Sequence, residues 1–166
     1  MLYIFTMKFA NWFHLKESVK IWHIDPEEDW EEAQEAENIA KIVRIRPDST
    51  KNATIIAKND QGEVIGAVFA SWSNDEDASQ YAQEPIAQWN FDVVVHPQWQ
   101  GYDMVGMKLI RAAEEERKNL EQINNQKAYT KLWVVNPKLA KILQHPKYGY
   151  NAEAEYSDGS AHLVKY

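Results

Sequence analysis

Apolar and polar positions change their period several times along this chain, and each change marks an element. Ser18–Ile24 alternates Val19, Ile21 and, weakly, His23 against Lys20 and Trp22, the period of a strand. Asp25-Pro26 then has the form of a helix start, a capping residue before a first-turn proline. Trp30, Ala33, Ala36, Ile39, Ala40 and Val43 follow at threes and fours and predict its buried face. Glu27, Glu28 and Asp29 near the start, with Lys41 and Arg44 near the end, complement the helix dipole. Pro47 ends the helical pattern. Thr54–Lys58 and Glu63–Trp72 read as strands joined by a turn at Asn59-Asp60-Gln61-Gly62. Ser73–Gln88 reads as a long polar connection, and Trp89–His96 as the central apolar strand. Gln100–Lys118 begins as loop and becomes helix, with Val105, Leu109, Ala112 and Ala113 on one side. Ala128–Asn136 reads as a strand, and Pro137–Gln144 as a short helix capped by Asn136. Tyr150–Tyr156 and Ser160–Tyr166 flank a turn at Ser157-Asp158-Gly159. The order β, α, β, β, β, α, β, α, β, β predicts a mixed sheet covered by helices, an α/β or α+β layered domain.

Composition narrows the classes. The 166 residues suit one domain, with residues 1–17 a candidate N-terminal extension and Met7 an alternative start to Met1. A hydrophobic fraction of 45% and seven tryptophans argue for a packed core. A net charge of −7, with no basic run, argues against nucleic acid as a partner. No apolar stretch approaches the roughly 18–20 residues of a membrane span, and the apolar opening MLYIFTMKFANWF lacks a basic leader and a cleavage site. The absence of cysteine removes thiolate chemistry and fits a reducing, cytoplasmic setting. The five histidines show no paired metal spacing, so no metal site is expected.

The segment VVVHPQWQGYDMVGMKLI, Val93 to Ile110, runs from a β-branched block through a polar turn into a helical pattern. A helix start offers unpartnered amides and the positive end of a dipole, which suits an anion. Gly101 permits close approach or positive φ, and Gly106 inside a helix costs about 1 kcal/mol against alanine. A diphosphate cradle and a tight turn with close helix–sheet packing both fit these glycines. G-x-G-x-x-G, the P-loop and the G-x-S-x-G elbow are all absent.

Extended to VVVHPQWQGYDMVGMKLIRAAEEE, the segment resembles the acetyl-CoA-binding motif of the GNAT superfamily of N-acetyltransferases, and LWVVNPKLAKILQHPKYGY resembles that family's second half. The likeness covers roughly Ser18–Tyr166. It implies a central twisted mixed sheet split between its fourth and fifth strands and flanked by helices. Pantetheine would lie in the split along the backbone of Val93, Val94 and Val95. The diphosphate would sit on amides from Gln100 to Gly106, through Gly101, Tyr102 and Val105, and Asn136 would hold the pantetheine arm. The activity implied is acetyl transfer from acetyl-CoA to a primary amine of a small molecule or protein. That acceptor would enter near Ser73–Gln88 and the first helix, and a homodimer is a possible assembly.

The motif departs from the family's in two places. Counted from Pro97, the motif starting at Gln100 places Asp103 and Val105 where the family has glycines. The preferred pairing, which preserves helix phase, aligns Val105-Gly106 with the family's apolar-glycine pair, adds one loop residue and still loses the first motif glycine. Asp103 then faces the diphosphate site, and a capping role is expected for it. Leu143 and Gln144 stand where many family members carry a tyrosine acid. Tyr148 is the displaced candidate, with His145 behind it, or else a packing residue. Asp92, or Glu84, acting through water would remove the amine's proton; on strand alternation Asp92 lies either at the acceptor cleft or paired under a helix. Backbone amides near Val94 and Val95 would stabilise the oxyanion. The acidic Asn74–Asp77 stretch is either a lure for a cationic acceptor or a solvated loop. Two other readings stand beside this one. The first is a GNAT-fold binding or regulatory protein without catalysis. The second is a structural component using the aromatic segment Phe9–Phe13.

Overall fold

A computed structural model describes residues 19–166. The expectations for Met7, Phe9–Phe13 and the start of the first strand at Ser18 lie outside the described residues. Seven strands form one sheet in the order β1-β2-β3-β4-β5-β7-β6: β1 Lys20–His23, β2 Asn52–Lys58, β3 Val64–Asn74, β4 Ile86–Val95, β5 Lys127–Val134, β6 Asn151–Glu155 and β7 Ala161–Lys165. The helices are α1 Trp30–Ile42, α2 Glu76–Ala82, α3 Val105–Asn124 and α4 Pro137–Leu143. Neighbouring strands run antiparallel except β4 and β5, which are parallel. The mixed, helix-flanked sheet expected from the pattern is present.

Alternation along β4 divides the core. Trp89 and Phe91 pack with Leu109, Ile110 and Ala113 of α3 and with Leu143 of α4. Val94 faces the other way, to Ala36, Ile39 and Ala40 of α1. The α3 face is the larger, so a 20-residue helix with apolar positions at threes and fours lies there. Gly66 lets α3 approach: a Cβ there would stand 2.9 Å from Leu109 Cδ1 and 3.0 Å from the Val94 carbonyl oxygen.

Three local expectations are corrected. The Asp25-Pro26 signal makes a turn, in which Asp25 accepts from the Glu27 amide at 2.9 Å, and α1 starts only at Trp30. Trp30 is consequently exposed rather than part of the buried face. The Ser73–Gln88 connection contains α2, capped by Asp75, whose carboxylate accepts from the Ala78 amide at 2.9 Å. Its acidic run is a helix start, where carboxylates complement the dipole.

Candidate functional site

β4 and β5 stay in register from Ile86 opposite Lys127 to Asp92 opposite Trp133, and then part. Beyond that point an open cavity of about 880 Å³ separates them. The His96 amide bonds the Ile65 carbonyl at 2.8 Å on the β3 edge, and Val94 lies two residues back, opposite Ala67. Ladder alternation therefore turns the polar groups of Val94 toward β3 and those of Val93 and Val95 toward the parted edge. The expectation that Val94 donates to an oxyanion is corrected on this geometry: its N–H faces β3, and the Val95 N–H faces the opening.

The loop after β4 makes a 3₁₀ turn, Pro97–Trp99, and reaches α3 through Gly101, Asp103 and Met104, all at positive φ. Two adjacent non-glycine residues in the left-handed region cost on the order of 1 kcal/mol each, strain of the kind found at ligand sites. Among the described residues, the amides of Gly101, Asp103, Met104, Gly106 and Met107 donate to no acceptor. Gly106 has open space before it: an added Cβ would meet only Val95 Cγ2, at 3.8 Å. Protein packing does not require that glycine, so the sequence's cost is explained by what could approach it.

Asp103 does not cap the helix. The N-cap position falls on Met104, and the Asp103 carboxylate pairs with Lys108 Nζ at 2.7 Å. The chain reaches the helix one residue later than capping by Asp103 needs, which leaves its side chain beside the first turn. The pairing offsets the charge that would repel a diphosphate.

Eight of the nine residues expected at the cofactor line this cavity: Val93, Val94, Val95, Gln100, Gly101, Val105, Gly106 and Asn136. Tyr102 does not; its ring meets Trp99 edge-on at 5.0 Å, and burial, then the Asp103 and Asp60 carboxylates, push its phenol pKa up. Gln100 Nε2 donates to the Val95 carbonyl at 3.1 Å. Asn136 caps α4, its Oδ1 accepting from Lys138 at 2.9 Å and Leu139 at 3.3 Å, and its amide nitrogen has no acceptor among the described residues.

The acid and base candidates lie elsewhere. Asp92 is buried on the α1 face and pairs with Lys51 Nζ at 2.9 Å. Tyr148 is half-buried against the core in the turn after α4, and His145, whose Nδ1 accepts from the Lys147 amide at 3.1 Å, is exposed beside it; neither is in the cavity lining. Glu84 pairs with Lys127 at 3.4 Å near the start of β4. The Asn74–Asp77 stretch also sits at that end. Asn74 opposes Ala87 while Gly66 opposes Val95, which separates them by roughly 26 Å at about 3.3 Å per residue. An acceptor entering the split therefore does not pass Ser73–Gln88.

Sequence reasoning missed Val43 and Ile45 from the chain after α1, Met104, Trp133, Val135, Lys138 and Ile142, all in the lining. Among the described residues, Lys138 is the lining's one titratable side chain. No local pattern announces these residues; the fold brings them together.

No family model matches the chain, and no curated protein matches it. Solved structures do. A chain of the NatC complex bound to Gag peptide and CoA has a TM-score of 0.64 at 10% identity, covering 89% of this chain and 98% of that one. Arabidopsis thaliana Naa50 in complex with the bisubstrate analogue CoA-Ac-MVNAL has a TM-score of 0.57 at 10% identity, covering 90% and 99%. An acetyltransferase of the GNAT family from Streptococcus pneumoniae has 0.54 at 13%, covering 89% and 98%. At such identities the likeness shows a fold, and the fold is that of the GNAT acetyltransferases.

Proposed function

We propose that the protein is an acyl-CoA-dependent N-acyltransferase that moves an acetyl group from acetyl-CoA to a primary amine by direct attack. The observation that carries this is the parted β4–β5 edge. There the polar groups of Val93 and Val95, and amides at the start of α3 that have no partner among the described residues, border one apolar cavity. Acetyl-CoA, when bound, supplies an activated thioester. The free edge of Val93 and Val95 pairs with the pantetheine amides as an added strand would, and the Asn136 amide nitrogen donates from the other wall. The amides from Gly101 to Met107 hold the diphosphate, with Gln100 fixing the loop to β4. The Val95 N–H stabilises the oxyanion as the amine nitrogen attacks the carbonyl carbon. The carbon–sulfur bond then breaks, the thiolate leaves, and the amine proton passes to water. Similar structures that carry Gag peptide with CoA, or CoA-Ac-MVNAL, support an amine acceptor meeting the thioester in this cavity.

Neither Asp92 nor Tyr148 is assigned to the chemistry. Asp92 serves Lys51, and Tyr148 serves the core; catalysis rests on positioning and on backbone donors. The lack of an acid–base pair among the described residues of the lining also favours a second reading, a GNAT-fold protein that binds acetyl-CoA without turning it over.

Calorimetry with acetyl-CoA on the natural chain and on Gly106→Glu tests the site. Micromolar binding that disappears in the variant supports the cradle, and thiol release on addition of amines then separates transfer from binding alone. No heat at millimolar acetyl-CoA sinks the cofactor assignment.

A further inference from the structure

Trp133 is the last β5 residue in register with β4. Its neighbours Leu132 and Val134 are buried toward α3 and α4, so alternation places Trp133 on the α1 face of the sheet. There it is 42% exposed while lining the cavity. On that face α1 packs against β2, β3 and β4. Among the described residues, no helix covers the same face of β5, β7 and β6.

The exposed indole does not stand alone. His162, opposite Trp133 in the β5–β7 ladder, stacks on it at 5.7 Å with 20° between the rings. Tyr156 meets His162 edge-on at 5.7 Å and is itself half-exposed. The three rings make a continuous shelf from the cavity outward. Met104, Val135 and Ile142 add further exposed apolar side chains to the cavity lining. Single exposed apolar residues are ordinary, but a contiguous set rimming a cavity marks a binding surface.

Charge decides what such a surface takes. Among the described residues, the lining contains no carboxylate, and its titratable side chain, Lys138, is cationic. Asp92, beside Trp133 on β4, is committed to Lys51. The acidic Asn74–Asp77 stretch lies at the far end of the sheet. A polycation entering here would meet a cation and find no free counter-charge in the lining.

We propose that Trp133 selects the acceptor, and that the acceptor is a primary amine on an uncharged apolar body, preferably aromatic, that packs against the indole. His162 is a positioning residue: its stack holds the indole upright at the opening. This rests on the acyltransferase reading above. An arylalkylamine and a peptide beginning with a large apolar residue share this chemistry, and the test separates them.

Calorimetry in the presence of CoA, which holds the cofactor site without permitting transfer, compares 2-phenylethylamine, a peptide beginning Met-Leu, and spermidine. At least one of the first two should bind, and spermidine should not compete with it. Trp133→Ala should weaken the bound amine about 30-fold, as loss of an aromatic anchor does, while the variant still binds CoA. Trp133→Phe should recover most of the loss, and His162→Ala should show a smaller one. Retained CoA binding certifies that each variant is folded. Spermidine preferred over both apolar amines, no amine bound at all, or an apolar amine indifferent to Trp133→Ala would each overturn the proposal while CoA binding stands. Failure of the natural chain to bind CoA overturns the acyltransferase reading itself, and the acceptor role with it.

Discussion

The two ends of β4 are built from the same kind of sequence and end in opposite states. At its start, the Ser79 hydroxyl accepts from the Ile86 amide at 2.8 Å and donates to the Ile86 carbonyl at 3.1 Å, while the Asp75 amide bonds that carbonyl at 2.9 Å. The Tyr129 hydroxyl lies 2.6 Å from the Asp75 carboxylate and 3.0 Å from Gln88 Oε1, and the Trp89 indole donates to the Ala113 carbonyl at 2.9 Å. Polar groups there are paired side by side with apolar packing. At its end, Val93 and Val95 turn polar edges toward a cavity, and five amides of the following turn and first turn of α3 have no partner among the described residues. Unpaired backbone next to an apolar cavity is costly unless water or a ligand satisfies it. The comparison teaches where to look for function: at the end of the strand whose hydrogen bonding the protein leaves incomplete.

Asp92 stands at the boundary between the two ends, so its removal is the sharpest challenge to the division. The Lys51–Asp92 side chains are 8% and 7% exposed. Asp92→Leu alone leaves a buried ammonium unpaired and should cost about 3–5 kcal/mol in urea unfolding. Lys51→Met with Asp92→Leu should recover most of that, because paired burial of charge is nearly offset by its desolvation. If Asp92 belongs to the closed, structural end, the double variant keeps acetyl transfer. A folded double variant with transfer abolished would move Asp92 across the boundary and make it the base.

Two glycines sharpen the same contrast with opposite signs. Gly66 serves packing, so Gly66→Ala should destabilise by about 1–3 kcal/mol, because Leu109 and the Val94 carbonyl stand too close for a methyl group. Gly106 serves the open end. Gly106→Ala should stabilise the unliganded protein by about 0.5–1 kcal/mol, since its Cβ has room and alanine favours helix. It should nonetheless weaken acetyl-CoA. Denaturation midpoints beside calorimetric affinities read both effects; a stabilised Gly106→Ala with full affinity would remove the glycine from the site.

The strand cores were legible in the sequence, whereas the closed end of β4 was read as part of a long connection and only half of the open end was read. Apolar runs placed β3, β4 and β5, because a strand buried on both faces is apolar along its length, and Asn136-Pro137 announced its helix cap. The Val93–Val95 block and the two loop glycines could be read as a site because they are contiguous. Trp133, Ile142 and Val43 could not, since each comes from a different element and meets the others only through the sheet's parting. Asp103 was misread for a finer reason: whether it caps or pairs depends on where α3 begins, a matter of one residue, and boundaries are the least legible feature of any element. The acidic stretch at Asn74–Asp77 could be read as a lure for substrate or as a solvated loop, because sequence shows charge without showing distance.

The smallest expected effect is electrostatic, at the closed end. The Ala78 amide, then the Tyr129 hydroxyl, hold the Asp75 carboxyl below its ordinary pKa of 3.8. Burial, then the hydrogen bond to Asp75, hold the Tyr129 phenol above its ordinary 10.0. The two shifts act at opposite limits of pH. With its folded pKa depressed, Asp75 contributes stability that is present above pH 3.8 and lost as pH falls through the lower folded value. With its folded pKa raised, Tyr129 contributes stability that is present below pH 10.0 and lost as pH rises toward the higher folded value. Tyr129→Phe should therefore flatten the alkaline limb of the urea midpoint against pH. It should shrink the acid limb only in part, because the Ala78 amide still holds Asp75. Acetyl-CoA affinity at neutral pH should not move. A variant that lost affinity instead would show the two ends of β4 to be coupled, and incomplete hydrogen bonding would no longer suffice to locate the site.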